Sequence, residues 1–538
     1  MRALLLLLFA FYLLSCANVS SPTGGPKDTI PPSLIRIVPN QGQKNFHGSR
    51  IMLEFDEWLK LKNPKEEIII TPSVKDPKVT VKKNFVFIDL EEKLKDSTTY
   101  SIAFRESIQD LNEGNPAEDL HLAFSTGDEI DSLQIRGKVN QLLLGKPADK
   151  YTVAVYQSDT FNIFKHKPVY FTRTNKKGEF KILNLKAGDY SIYAFDDKNK
   201  NLLLESKSEK FGFINTKLSL NKNIDSLSLK AIALDSRPIN ITGIRALGHF
   251  TKVRYNKNLT GYKLTSLDAF DKSIRNCFSG SFSEIDIFPN KPAGDSTLIR
   301  LTVIDSLNQT RDSVFYIKQT TAKSLKEKIK ISVSSTELID DTQSFKAIIS
   351  ASEIPQKINY DSVFIKIDTI ATYAFTPESF SYDSMFRKIR IQKTFQKKDS
   401  IKWKRAKLIL GKGAIISIYS DSSKNSFSPI THITAEETAT LIIESNTAKP
   451  NTLIELLDEQ QKSIGIYPHS KLITIKNIKP GSVSLRAISD TNNNGKWDAG
   501  NPNKKELPED IIFYVNPEGK QQTPLRANWE VDIKWNLK

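Results

Sequence analysis

The feature that most constrains this chain is a period of two. Short runs alternate apolar and polar residues: "SRIMLEF", "NFVFIDL", "TTYSIAF" and "LHLAFST" early, "LIRLTVID", "RDSVFYIK" and "KIKISVSS" in the middle, "VSLRAIS" late. Successive side chains of a strand point to opposite sides, so this period hides one face and wets the other. A helix needs apolar residues three and four apart, and no long stretch has them. Short strands between turn residues, with no helices to cover a parallel sheet, predict an all-β fold of packed sandwiches. At 538 residues the chain exceeds one hydrophobic core. Tandem β-sandwich domains in an elongated array are expected.

The first residues carry an address. Arg2 precedes an apolar run, Ala3 to Leu14, of signal-peptide length and too short to span a bilayer. The run ends in Leu13-Leu14-Ser15-Cys16, which resembles the bacterial lipobox. That resemblance implies removal of residues 1–15 and diacylglyceryl attachment to the Cys16 sulfur. Several acyl chains anchor firmly where one holds marginally. Residues 16–29, rich in Ser, Pro and Gly, read as a tether. By the same resemblance to Gram-negative lipoproteins, Ala17 rather than Asp after the cysteine favours the outer membrane. The absence of acids before Asp28 keeps both periplasmic and cell-surface faces open, with the surface favoured. The other cysteine, Cys277 in "IRNCFSG", has no partner in the mature chain and reads as a small core residue.

Five units are expected beyond the tether. Residues 30–131 carry "DTIPPSLIRIVPNQG", "IMLEFDEWLKL" and "TTYSIAFRESIQDLNEGNP", and resemble the bacterial Ig-like domain at the start of Bacteroidetes lipoproteins. Residues 132–228, with "NKKGEFKILNLKAGDYSIYAFDDKNKN", resemble the prealbumin-like, carboxypeptidase-regulatory-like sandwich. Residues 229–325 and 326–435 read as two further sandwiches of no recognised family, parted by the polar stretch Ala322–Lys328. Residues 436–538 repeat the second unit. Asn184, Lys186, Gly188, Ser191, Ala194, Asp197, Asn199 and Asn201 recur as Asn477, Lys479, Gly481, Ser484, Ala487, Asp490, Asn492 and Asn494. Convergence supplies alternation but hardly the same Asn-x-Lys-x-Gly turn followed by Asp-x-Asn-x-Asn, so the unit is read as duplicated.

The loop "DTNNNGKWDAG" has oxygen side chains at every second position. Asp490, Asn492, Asn494, the Lys496 carbonyl and Asp498 follow the spacing of a calcium loop, Gly495 permits its sharp turn, and Glu509 could fold back as a further carboxylate. The competing reading is a turn whose Asn and Asp side chains bond their own backbone. The first copy keeps Asp197, Asn199 and Asn201 but has Leu202 in place of Gly495. It is expected to lack an acid matching Asp498, with Glu205 the nearest, and to be metal-free.

A net charge of +16 suits an acidic surface, yet no basic cluster is interleaved with aromatics, so no nucleic-acid partner is expected. The six histidines form no H-E-x-x-H, and neither a G-x-S-x-G elbow nor a phosphate loop occurs. The sequence therefore reads as a non-enzymatic, lipid-anchored envelope protein. It would serve an outer-membrane barrel protein or complex as an accessory scaffold, or alternatively act as a surface adhesin or glycan binder. Cys16→Ala should block acylation and move the protein from the membrane to the soluble fraction; a variant that stays acylated would refute the lipobox reading.

Overall fold

In the computed structural model, residues 28–537 are described except 118, 158–160, 206, 249, 269–273, 280, 291–293, 321–328, 368–370, 397–404 and 447–448. Cys16, the tether before residue 28 and the linker expected at Ala322–Lys328 lie outside the described residues. The described chain is all β, a series of tandem β-sandwiches; the one α-helical segment described is a single turn, Pro64–Glu67.

In the first unit, a sheet ordered Leu34–Val38, Arg50–Phe55, Phe85–Asp89, Lys78–Lys82 faces one made of Ile69–Thr71, Thr99–Ala103 and His121–Ser125. The alternation works as expected. Ile51, Leu53, Val86 and Ile88 point inward from one sheet and meet Tyr100, Ile102, Leu122 and Phe124 from the other.

The second and fifth units share one pairing scheme. Leu133–Gln141 pairs antiparallel with Glu179–Leu185 and parallel with Ile224–Ala233. Ala439–Glu444 pairs antiparallel with Leu472–Ile478 and parallel with Glu530–Lys534. In the facing sheets, Gly188–Phe195 pairs with Thr152–Gln157, Lys210–Phe213 and Leu218–Leu220, as Gly481–Ser489 does with Thr452–Leu457, Ile511–Phe513 and Gln522–Leu525. Even the irregularity recurs. The register slips between Leu133 and Ile135 opposite Leu185 and Ile182, and again between Ala439 and Leu441 opposite Ile478 and Ile475. Asn184 and Asn477 sit at these bulges with φ of 58° and 60°, a left-handed conformation that Asn tolerates better than most residues. The boundary expected at 228 falls inside the strand Ile224–Ala233, so it is corrected: the second unit runs on to the end of that strand.

The third unit packs Ile241–Leu247, Phe250–Tyr255, Glu284–Phe288 and Arg275–Phe278 against Gly261–Ser266, Ser296–Ile304 and Thr310–Lys318. The fourth sets a five-stranded sheet centred on Ser344–Ala351 against a four-stranded one containing Val363–Ile367 and Ala406–Leu410. They meet through a backbone hydrogen bond, from the Phe278 amide to the Met385 carbonyl at 2.9 Å, and through the Phe386 ring stacked on Phe278. Cys277 is buried beside it, and burial pushes its thiol up to about 12.

One arrangement was absent from the alternation pattern. The strand Thr152–Gln157 sends Val153 and Val155 into its own core, yet Ala154 and Tyr156 on the outer face are buried too. Phe195, Phe211, Phe213 and Ile232 extend that outer apolar surface. Leu307 of the third unit and Trp497, Ala499 and Ile511 of the fifth cover it. The Asn501 side chain donates to the Leu307 carbonyl at 3.0 Å, the Gln521 side chain donates to the Gly145 carbonyl at 3.1 Å, and Lys230 pairs with Asp510. The units are tandem in sequence, but the array loops back from the second to the fifth.

A buried ion pair sets Leu307 in place. The Lys257 ammonium donates to Asp305 at 2.6 Å, to the Arg237 carbonyl at 3.0 Å and to the Asp235 carbonyl. Asp305 in turn accepts the Leu307 and Gln309 amides, each at 2.9 Å. All three ammonium protons and the carboxylate are satisfied, which a buried pair requires. Leu307 is 1% exposed. Leu307→Ala should cost about 2–5 kcal/mol in urea unfolding and lengthen the particle in small-angle scattering; unchanged stability and dimensions would show that the junction is held elsewhere.

Candidate functional site: two matched loops and an interdomain cleft

The Asp490 loop is built around three carboxylates. Asp490, buried, accepts the Asn494 amide at 3.0 Å and the Gly495 amide at 2.8 Å. Asn492 accepts the Asn494 amide at 3.2 Å, and Asn494 accepts the Lys496 amide at 3.1 Å. Asp498 accepts the side-chain amides of Asn492 and Asn494, both at 2.6 Å. Glu509 does fold back: it accepts the Thr491 amide at 2.7 Å and the Asp498 amide at 3.0 Å. The expected residues therefore converge, with Lys496 contributing backbone alone to this hydrogen-bond set. The Trp497 indole donates to the Glu509 carbonyl at 3.0 Å. This aims its ring into the junction described above.

The first copy has the same wiring, and its reading needs one correction. Glu205 stands eight residues after Asp197, as Asp498 stands eight after Asp490. It accepts the Asn199 and Asn201 side chains at 2.8 and 3.5 Å. Asp197 accepts the Asn201 and Leu202 amides at 3.1 and 3.2 Å. Glu209, which spacing could not reveal, takes the place of Glu509: it accepts the Lys198 and Glu205 amides at 3.2 and 2.8 Å. Burial raises its pKa above the ordinary carboxylate range. An acid at the ninth position is therefore present in both copies, and the difference lies at Leu202, which holds φ +62° where Gly495 holds +78°.

The donor set of the Asp490 loop is all oxygen, the kind a hard cation takes. As it stands, its carboxylates are bonded to the loop's own N–H groups. Among the described residues no group of three or more His, Cys, Asp or Glu is arranged to hold a metal ion.

A cleft of about 1030 Å³ lies between the first two units. Arg105, His121, Arg136, Lys138 and Arg173 line it, with Phe180 among its apolar residues. Ser101 and the His121 Nε2 are 2.7 Å apart, and burial together with Lys181 lowers the His121 pKa. A serine bonded to a histidine is one half of an activated nucleophile; among the described residues no carboxylate bonds the other ring nitrogen. One edge of the cleft is a charged clamp. Arg105 pairs with Glu67 at 2.9 Å and donates to the Arg173 carbonyl at 2.6 Å. Glu66 pairs with Lys200, which with Arg173 holds its carboxyl below the usual range. No sequence motif marked this cleft, because its residues come from strands far apart in the chain.

A leucine at positive φ costs about 1 kcal/mol relative to glycine. Leu202→Gly should therefore raise the melting temperature of the intact chain, and Gly495→Leu should lower it. A lower melting temperature for Leu202→Gly, or no change in either variant, would mean that the loops do not share a backbone requirement.

Residues 28–126, which make up the first unit, match the family described as the bacterial Ig-like domain. No curated protein matches the chain. Among solved structures, a DUF3823 family protein from Parabacteroides merdae is 12% identical over 35% of this chain and 100% of its own, with a TM-score of 0.13. A second, from Bacteroides uniformis, is 12% identical over 35% of this chain and 99% of its own, again at 0.13. The surface layer protein SbsC, domains 1–6, is 12% identical over 91% of this chain and 67% of its own, at 0.16. Likeness at this level carries no conclusion about activity or partners.

Proposed function

We propose that this chain is a non-enzymatic, lipid-anchored scaffold of the bacterial outer membrane, an accessory subunit that holds a barrel protein or complex during assembly or secretion. The observation that supports it most is the shared apolar junction. By closing the second, third and fifth sandwiches around Leu307, it presents their outer surfaces in one preset arrangement. Preset surfaces bind without the cost of ordering them first. The lipobox-like Leu13–Cys16 supplies the anchor. Chemical cross-linking of the acylated chain in outer membranes should trap a β-barrel protein. Retention on a glycan array with no barrel partner would replace this reading with that of an adhesin.

The Asp490 loop serves the scaffold as a clip, because Trp497 hangs from Glu509 and reaches the junction. Calcium held by Asp490, Asn492, Asn494, Asp498, Glu509 and the Lys496 carbonyl would tighten that clip and balance carboxylates that otherwise repel. An ion bound to the native state alone adds about 2.7 kcal/mol at a hundredfold excess over its dissociation constant. The intact chain should melt higher in millimolar calcium than in chelator, and Asp490→Ala should abolish the difference. Identical melting in both buffers would leave the loop as a self-bonded turn.

A further inference from the structure

One end of the first sandwich exposes three large apolar side chains that its core does not need. Ile30 is 70% exposed, Trp58 59% and Leu111 45%. Backbone contacts bring them together. The Leu111 amide donates to the Trp58 carbonyl at 2.9 Å, and the Asn115 side chain donates to the carbonyls of Asp28 and Ile30 at 3.1 and 3.5 Å. The second unit does not cover this end; it is clamped at Glu66, Glu67 and Arg105.

The chain enters the first unit at the same end. Asp28 is the first described residue and is bonded to Asn115. It stands twelve positions after Cys16. A chain of that length reaches about 43 Å at most. If Cys16 carries lipid, Trp58 is confined within tens of ångströms of the bilayer surface. Confinement of this kind gives a millimolar effective concentration, so even weak apolar insertion is populated. An exposed tryptophan flanked by aliphatic residues suits the headgroup region, where one side of the ring is wet.

We propose that the Ile30–Trp58–Leu111 tip rests in the interface of the bilayer that anchors the chain, and that it prefers neutral to anionic headgroups. The inference depends on the lipid-anchor reading. The preference follows from local charge. Asp28, Asp56, Glu57 and Glu113 gather at this end, with Lys60 bonded to the Leu111 carbonyl as the nearby cation named in these contacts. Partial burial, Asp110 and the other acids raise the Glu57 pKa, which reports the same crowding. The net charge of +16 therefore misdescribes this surface.

The test uses the acylated full chain in phosphatidylcholine vesicles whose acyl chains carry bromine, a tryptophan quencher. Trp58 is one of five tryptophans, so a partial loss of emission is expected, and Trp58→Ser should abolish it. The double variant Ile30→Ser with Leu111→Ser, which keeps Trp58 as reporter, should reduce it. Adding phosphatidylglycerol should also reduce it. Protein that floats with the vesicles without quenching, quenching that survives Trp58→Ser or the double variant, or quenching that grows with phosphatidylglycerol would each overturn the inference and leave the anchor intact. A chain that does not float defeats the anchor reading, and this inference with it.

Discussion

The second sandwich carries an apolar surface on its outer side as well as in its core, and the rest of the arrangement answers to that. Phe195, Phe211 and Ile232 could not stay in water without forfeiting about 1.5–3 kcal/mol each. Covering them takes side chains from two other units, Leu307 and Trp497. The covering groups are held by polar devices nearby. Lys257 and Asp305 fix the turn that carries Leu307, and Glu509 fixes the turn that carries Trp497.

The contact between the first and second units has another character. It rests on Arg105, Arg173, Lys200, Glu66 and Glu67, beside an open cleft. Charged contacts at a surface are weak and screened by salt, whereas apolar contacts of a core are not. The molecule therefore combines an apolar platform with a first unit attached through charged groups. Relative motion is the normal expectation across a polar interface, so the first unit can shift while the platform keeps its shape.

Duplication accounts for much of the platform. The two related units keep the same bulge, the same left-handed asparagine and the same carboxylate-centred loop. In the fifth unit the loop delivers Trp497 and Ala499 to the junction; in the second, Leu204, at the position matching Trp497, joins the same apolar cluster. The copies thus meet through equivalent regions, each loop shaped by an aspartate that gathers its backbone amides.

Sequence alone determined the all-β class, because a period of two in short runs is incompatible with helices. It also determined the kinship of the second and fifth units, since the turn and loop residues recur at fixed spacing, and the convergence of Asp490, Asn492, Asn494 and Asp498, which is local. Glu205 was equally local, and counting eight residues from Asp197 finds it. Glu209 and the Ser101–His121 pair could not be found that way, because their neighbours arrive from other strands. Nor could the looping of the array. Alternation reports which face of a strand is buried in its own sandwich; where both faces are apolar, as in Thr152–Gln157, it cannot say what lies beyond. Only the tertiary structure decided that Leu307 and Trp497 do, because covering a second apolar face is a matter of which distant surfaces can reach it.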